Sequence, residues 1–222
     1  MARRTRRLDA VAILGLGRFG TSLALELMKE DVEVLAIDSD QRIVESLAGR
    51  LTQVVSADIT SEEALRQLSV HEFYRVVIAV GTHIEASILT ATTCLSFETP
   101  EIWAKAISEA HAKILSQLGV HHIVRPEHDM GKRVAHLVAG RMMDYMEFDD
   151  GYAMVKTTPP TVILGRPLST TDVRKRFGVT IVAIKRSGED FTYATQDTVV
   201  NRGDVIIASG KTHDVEHFSD QT

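Results

Sequence analysis

An α/β fold, a doubly wound parallel sheet followed by a crossover helix and a small α+β domain, is predicted by three observations in this 222-residue chain. Strand-length apolar runs alternate with helix-period segments from Val11 to Val124. Gly15, Gly17 and Gly20 stand in G-x-G-x-x-G spacing between the first apolar run and the first helical segment. From Gly151 onward, short alternating runs are separated by turn residues.

The first unit carries the most information. Val11-Ala12-Ile13-Leu14 reads as a buried strand, and the helix after the glycines places Leu23, Leu27 and Met28 on one side. A second strand, Val32–Ile37, ends on Asp38, 18 residues after Gly20. Strand, glycines, helix, strand and acid in that order make the dinucleotide-binding fingerprint of a Rossmann-type sheet. One glycine makes the tight turn, one lets the backbone approach a pyrophosphate, and one lets the helix close on the sheet. The phosphates then face unpaired N–H groups at the positive end of the helix dipole. Asp38 suits a ribose diol and repels a 2′-phosphate, so NAD, ATP or ADP fits better than NADP. No Gly-Lys-Ser/Thr follows the loop, which excludes a P-loop ATPase.

Beyond Asp38, Gln41–Arg50 reads as a helix and Gln53–Ser56 as a short strand with Asp58 just past it. Ser61 precedes Glu62 and Glu63 as an N-cap does. Arg75–Val80 is a fourth strand closed by Gly81-Thr82, and Ile84–Phe97 is helical. Ile102–Ala106, Ser108–Leu118 and His122–Val124 continue as strand, helix and strand. Near-continuous apolar strands between helices mean a parallel sheet, whose ligand lies at the carboxyl ends of the strands. Asp38, Asp58, Gly81, Lys105 and Glu127 all fall at or just after such ends. Arg125-Pro126-Glu127 breaks the pattern, and Asp129–Tyr145 then reads as one long helix, a crossover or association element. In the last part, Tyr152–Thr157 alternates and Leu168–Phe177 reads as a short helix ending at Gly178. Val179–Lys185 and Phe191–Ala194 form a hairpin, and Val205–Ala208 is a strand before a last helix.

Composition excludes several classes. The apolar (44%) and charged (25%) fractions are those of a globular protein. The longest apolar stretches are strand-length, so no direct membrane insertion is expected, and no cleavable signal segment is read at the start. A net charge of −5 argues against nucleic acid as a partner, although Arg3, Arg4, Arg6 and Arg7 form a local basic arm, a solvated tail or a contact for an acidic surface. Cys94 alone excludes an internal disulfide and reads as a small core residue. His213 and His217 have the i, i+4 spacing of a helical metal pair but lack the third ligand of a zinc site. His111, His121, His122, His128 and His136 read as packing or surface residues. The last 70 or so residues concentrate no acid, base or nucleophile, so the chain reads as binding without chemistry and not as an enzyme. An NAD(H)-binding redox sensor or a small NAD-dependent oxidoreductase is the alternative.

GLGRFG with Asp38, the tracts AVGTHIEAS and IWAKA, and above all RPEHDMG resemble the regulatory subunits of bacterial Ktr/Trk potassium-uptake systems, most nearly the KtrA/KtrC type. The likeness covers nearly the whole chain. It implies an RCK N-terminal nucleotide-binding domain at 8–127, a crossover helix and linker at 128–148, and an RCK C-terminal (TrkA-C) domain at 149–222. It also implies a cytoplasmic homo-octameric ring built from dimers, peripheral at the inner face of the membrane beneath a potassium-translocating subunit of the KtrB/TrkH type. ATP would favour the conducting state and ADP the inactive one, with NAD(H) bound in some relatives.

The implied cofactor-binding set is Gly15, Leu16, Gly17, Arg18, Phe19, Gly20, Asp38, Ser39, Asp58, Ile59, Ala79, Val80, Gly81, Lys105 and Glu127. In it Asp38 holds the ribose, Asp58 lies beside the adenine and Lys105 on the pocket floor. Arg18 reads a γ-phosphate, one that a neighbouring subunit can hold, and Glu127 helps bind Mg²⁺ or another cation. Some relatives bind cyclic di-AMP between C-terminal domains; Leu168, Val173, Arg174 and Ile184 occupy suitable regions. Tyr193-Ala194-Thr195-Gln196 departs from the expected proline-containing loop, which speaks against that ligand.

Overall fold

Arg7–Leu14 forms β1, the strand on which the first sheet is built. The structure is a computed structural model that describes residues 7–139, 142–148 and 151–221. Two compact units divide between Glu127 and His128.

In the first unit, β1, β2 (Glu33–Asp38), β3 (Gln53–Ser56), β4 (Phe73–Ile78), β5 (Glu101–Lys105) and β6 (His122–Val124) form a parallel sheet in the order β3-β2-β1-β4-β5-β6. The helices are α1 (Arg18–Lys29), α2 (Gln41–Leu47), α3 (Glu62–Gln67), α4 (Ile84–Ser96) and α5 (Glu109–Leu118). Because successive side chains leave a strand on opposite faces, β1 feeds two cores. Ala12 and Leu14 join Ile37, Phe73, Ile78, Ile102 and Leu115 in one cluster, while Val11 and Ile13 join Leu16, Ala24, Val34 and Val77 in the other. Each fully buried Ile, Leu or Phe contributes about 1.5–3 kcal/mol, so these clusters fix the sheet that carries the loops. The sheet order reverses between β1 and β4, and that switch point opens the crevice in which such sheets bind ligands.

Local signals set the helix starts. Ser61 Oγ accepts from the Ala64 N–H, as its position before two acids predicts, and Asp40 caps α2 through the Arg42 N–H. Cys94 is buried in α4, and burial pushes its thiol up to about 12, so it is an inert core residue.

His111 is the anomaly of this core. Its ring is 1% exposed on α5, and neither ring nitrogen has a hydrogen-bond partner among the described residues. Desolvation lowers its pKa from the ordinary 6.5. An unfolded chain takes up a proton there as the pH falls below 6.5 while the folded one resists it, so stability drops on the acid side. His111→Leu is expected to stabilise the unit by about 1–2 kcal/mol near neutral pH by removing an unpaired buried polar group. The gain should be larger at about pH 5.5, since the cost of keeping the folded ring unprotonated grows as the pH falls below 6.5. Urea denaturation at both pH values checks it; an unchanged pH dependence would contradict the assignment.

Pro126–Val138 is a helix, α6, and Asp144–Phe148 is a strand, β7. The sequence reading of one helix over Asp129–Tyr145 is therefore corrected. Asp144, Met146 and Phe148 alternate with buried Tyr145 and pair antiparallel with β8 (Tyr152–Thr157), a period of two that the helical signal upstream obscures. The second unit is completed by β9 (Thr180–Lys185), β10 (Thr192–Tyr193) and β11 (Val205–Lys211), in a five-stranded sheet of order β10-β9-β11-β8-β7. Leu168–Phe177 is not one helix either. A 3₁₀ turn at Leu168–Thr170 is followed by α7 (Val173–Phe177), because Asp172 adopts φ +49° and interrupts the helical path. A last helix, α8 (Thr212–Ser219), packs on β8 and β11 and buries Val215 and Phe218 against Ile163, Val179 and Ile206. His213 and His217 lie on α8, where His213 faces Asp214 at 2.8 Å and the His217 ring lies 6.2 Å from that of Phe177. No helix among the described residues is long and apolar enough to cross a membrane. Arg3, Arg4 and Arg6 of the basic arm lie outside the described residues, and Arg7 begins β1.

Candidate functional site

All six strands of the first sheet send residues from their carboxyl ends into one cavity of about 660 Å³, within the range of small-molecule sites. The β1–α1 turn supplies Gly15, Gly17, Arg18 and Phe19; the end of β2 supplies Asp38, Ser39 and Asp40; and the loop after β3 supplies Asp58, Ile59 and Thr60. Ala79 to His83 follow β4, Lys105 and Ile107 come from the end of β5, and Glu127 from the first turn of α6.

The glycine turn is held from three sides. Gly15 adopts φ +100°, which a side chain resists, and its N–H donates to the Ile37 carbonyl at 2.8 Å. Gly20 lies beneath the turn, where a Cβ would stand 2.0 Å from the Gly15 carbonyl oxygen. The third hold is Asp38. Its Oδ2 accepts from the Leu16 N–H at 2.6 Å and its Oδ1 from the Asp40 N–H at 2.8 Å. The acid thus ties the tip of β2 to the phosphate turn and still carries lone pairs for a diol. Gly17 is the N-cap of α1 and has no side chain to occupy the first-turn N–H groups; nothing lies within 4 Å of where its Cβ would be.

Charge is separated across the cavity. Asp58 accepts at one oxygen from both the hydroxyl (2.7 Å) and the N–H (2.9 Å) of Thr60, which hold its carboxyl below the ordinary range. Lys105 Nζ meets Glu127 Oε1 at 2.6 Å. That bond, then the N–H of Glu127 itself and the nearby charges of Lys105 and Arg18, hold the Glu127 carboxyl low. Among the described residues no group of three or more His, Cys, Asp or Glu could hold a metal.

Thirteen of the fifteen residues named from the sequence line this cavity. Leu16 and Gly20 do not: Leu16 is buried and contributes its N–H to Asp38, and Gly20 supports the turn from behind. Asp40, Ile43, Thr60, Thr82, His83, Ala86 and Ile107 also line it and escaped the sequence reading. The available signal was position, since most sit one to five residues past a strand end. A second cavity, of about 720 Å³, lies in the second unit; Leu168, Val173, Arg174 and Ala194 to Gln196 line it, and Ile184 does not.

Residues 11–126 match the TrkA-N domain and residues 152–222 the TrkA-C domain. The chain is 36% identical over 208 residues to Ktr system potassium uptake protein C of Bacillus subtilis, covering 93% of this chain and 94% of that one. The chain belongs to the Ktr/Trk potassium-uptake family. Among solved structures, the GsuK RCK domain superposes on 100% of this Ktr-family chain with a TM-score of 0.65 at 15% identity. The GsuK channel bound to NAD superposes on 99% with a TM-score of 0.66, also at 15% identity. The Ktr-family chain spans less than half of either solved chain (48% and 40%), and at that identity the likeness shows the fold.

Proposed function

We propose that the chain is the cytoplasmic nucleotide-binding regulator of a potassium-uptake system, acting on a separate membrane subunit that translocates the ion, with ATP activating and ADP inactivating. The observation that carries the reading is the convergence of Arg18, Lys105 and the N-terminus of α1 on the cavity held by Asp38. Those groups fit a ribose at one end and two or three phosphates at the other. The Bacillus subtilis relative named above is a potassium-uptake protein, which supports the membrane partner. The nucleotide-binding domain is 8–127 and the C-terminal domain 149–222; the working assembly is a homo-octameric ring of dimers.

ATP can shift such a ring only by the difference in its affinity for two shapes. The γ-phosphate is the sole difference between ATP and ADP, and Arg18, at the first position of α1, carries a planar fork suited to it. A cation held by Glu127 would take its other ligands from phosphate oxygens and water, the usual arrangement for Mg²⁺ with nucleotides. The test is calorimetric titration of nucleotide-stripped protein with ATP, ADP and NADH, with and without Mg²⁺. Competing ATP and ADP binding, with Mg²⁺ strengthening ATP, is expected; tight NADH with negligible ATP would turn the reading to a redox sensor. In Arg18→Ala, ATP affinity should fall about tenfold or more while ADP changes about twofold at most, the size of one charge-assisted bond. Equal losses for both would remove Arg18 as the γ-phosphate reader.

A further inference from the structure

We propose that Lys105 and a divalent cation compete for the Glu127 carboxylate, and that a nucleotide phosphate decides the competition by drawing Lys105 away. The proposal rests on the nucleotide-binding reading above and adds an order to it: phosphate first, cation second.

Lys105 is the fixed member of the pair. Its side chain is 12% exposed against 63% for Glu127. Its stem runs beside Gly81, where a Cβ would stand 3.3 Å from Lys105 Cε and 2.7 Å from Ile107 Cγ2. Its ammonium lies 5.7 Å from the centre of the Phe19 ring. The lysine therefore leaves the end of β5 through a channel that the missing Gly81 side chain keeps open, and it delivers its charge to the pocket floor.

Nζ occupies Glu127 Oε1 at 2.6 Å. A divalent cation sits about 2.0–2.6 Å from a carboxylate oxygen, so on Oε1 it would meet the ammonium almost in contact. On the other oxygen it would still face Lys105 across a single carboxylate, with the charge of Arg18 also felt there. Glu127 alone does not outbid those charges. A phosphate changes the arithmetic twice: it offers Lys105 a second anionic partner on the pocket floor, and it supplies the oxygens that complete the cation's shell. Lys105 thereby couples nucleotide and cation without touching the cation, and by linkage each must strengthen the other through it.

A double-mutant cycle separates this exchange from plain repulsion between carboxylate and phosphate. ATP affinity is measured by calorimetry in EDTA for the unaltered protein, Glu127→Gln, Lys105→Met and the double variant. Glu127→Gln is expected to tighten metal-free ATP about five- to tenfold by releasing Lys105, and Lys105→Met to weaken it by a similar factor. In the Lys105→Met background the gain from Glu127→Gln should vanish. A gain of the same size there would overturn the competition and leave simple repulsion. A second measurement needs no nucleotide: electron paramagnetic resonance of free Mn²⁺ should show Lys105→Met retaining the ion about tenfold more tightly than the unaltered protein, and the double variant losing that gain. Equal Mn²⁺ retention by the unaltered protein and Lys105→Met would also overturn the proposal. ATP binding absent from the unaltered protein, with and without metal, would instead bring down the nucleotide reading and this proposal with it.

Discussion

Gly20→Ala is expected to abolish nucleotide binding and to destabilise the first unit by about 3 kcal/mol, the upper end of what overpacking costs in a site that cannot relax. The added Cβ would stand 2.0 Å from the Gly15 carbonyl oxygen and 3.1 Å from its carbon, both backbone atoms. Gly15 has nowhere to retreat. Its φ is +100°, its N–H is bonded to Ile37, and Val80 lies against its other side. Relief must come from moving α1 away from the sheet, which uncovers Ala24 and Leu16 and withdraws the helix N-terminus from the cavity. Gly17→Ala is the control, since a Cβ there meets nothing within 4 Å. Its stability should fall by no more than about 1 kcal/mol, the scale of an alanine at an N-cap, well short of the Gly20→Ala loss. Denaturation midpoints and ATP calorimetry on both variants check the pair. A stable, ATP-binding Gly20→Ala would show that the turn does not need the close approach.

That the glycine spacing could be read from the chain, and the Lys105–Glu127 pair could not, follows from the range of the forces involved. Gly15, Gly17, Gly20 and Asp38 belong to one strand–helix–strand unit, so their roles are set by local geometry and survive in the linear order. Lys105 and Glu127 stand 22 residues apart and meet through the pairing of β5 with β6, which the chain order does not display. The same division explains β7. Pro126–Val138 has a strong helical period, and only the cross-strand partner in β8 reveals that Asp144–Phe148 follows a period of two. At Asp172 the failure is different in kind: Val173 and Phe177 are four apart, as on one helix face, but the left-handed Asp172 before them cuts that turn off from Leu168. His111 sits in a helix whose period places it inward, yet the lack of a partner for its ring depends on every neighbour that packs around it. In the pocket, Thr60, Thr82 and His83 joined residues already named because they share the same strand ends; their types alone gave no signal.

Asp38→Ala is expected to lower ATP affinity about a hundredfold, more than one lost hydrogen bond explains, because two effects combine. The first is the ribose contact itself, which the end of β2 is placed to make. The second lies in the turn. With the carboxylate gone, the Leu16 N–H loses its 2.6 Å acceptor and the Asp40 N–H its 2.8 Å acceptor, so the phosphate turn and the start of α2 are no longer tied to each other. Asn is not a mild replacement here, since its amide offers one acceptor and one donor where two backbone donors converge. Asp38→Asn should therefore lose affinity as well, while also losing the charge that repels a 2′-phosphate. Its preference for ATP over a 2′-phosphorylated adenosine nucleotide should shrink about tenfold relative to the unaltered protein, in line with the removal of one close charge. Calorimetry with both nucleotides and a denaturation midpoint separate the contributions. A lower midpoint with unchanged ATP affinity would leave Asp38 as a brace for the turn alone; a lower affinity with an unchanged midpoint would make it a ribose ligand alone. The two short bonds to the backbone, set beside an open pocket edge, argue that both must change together.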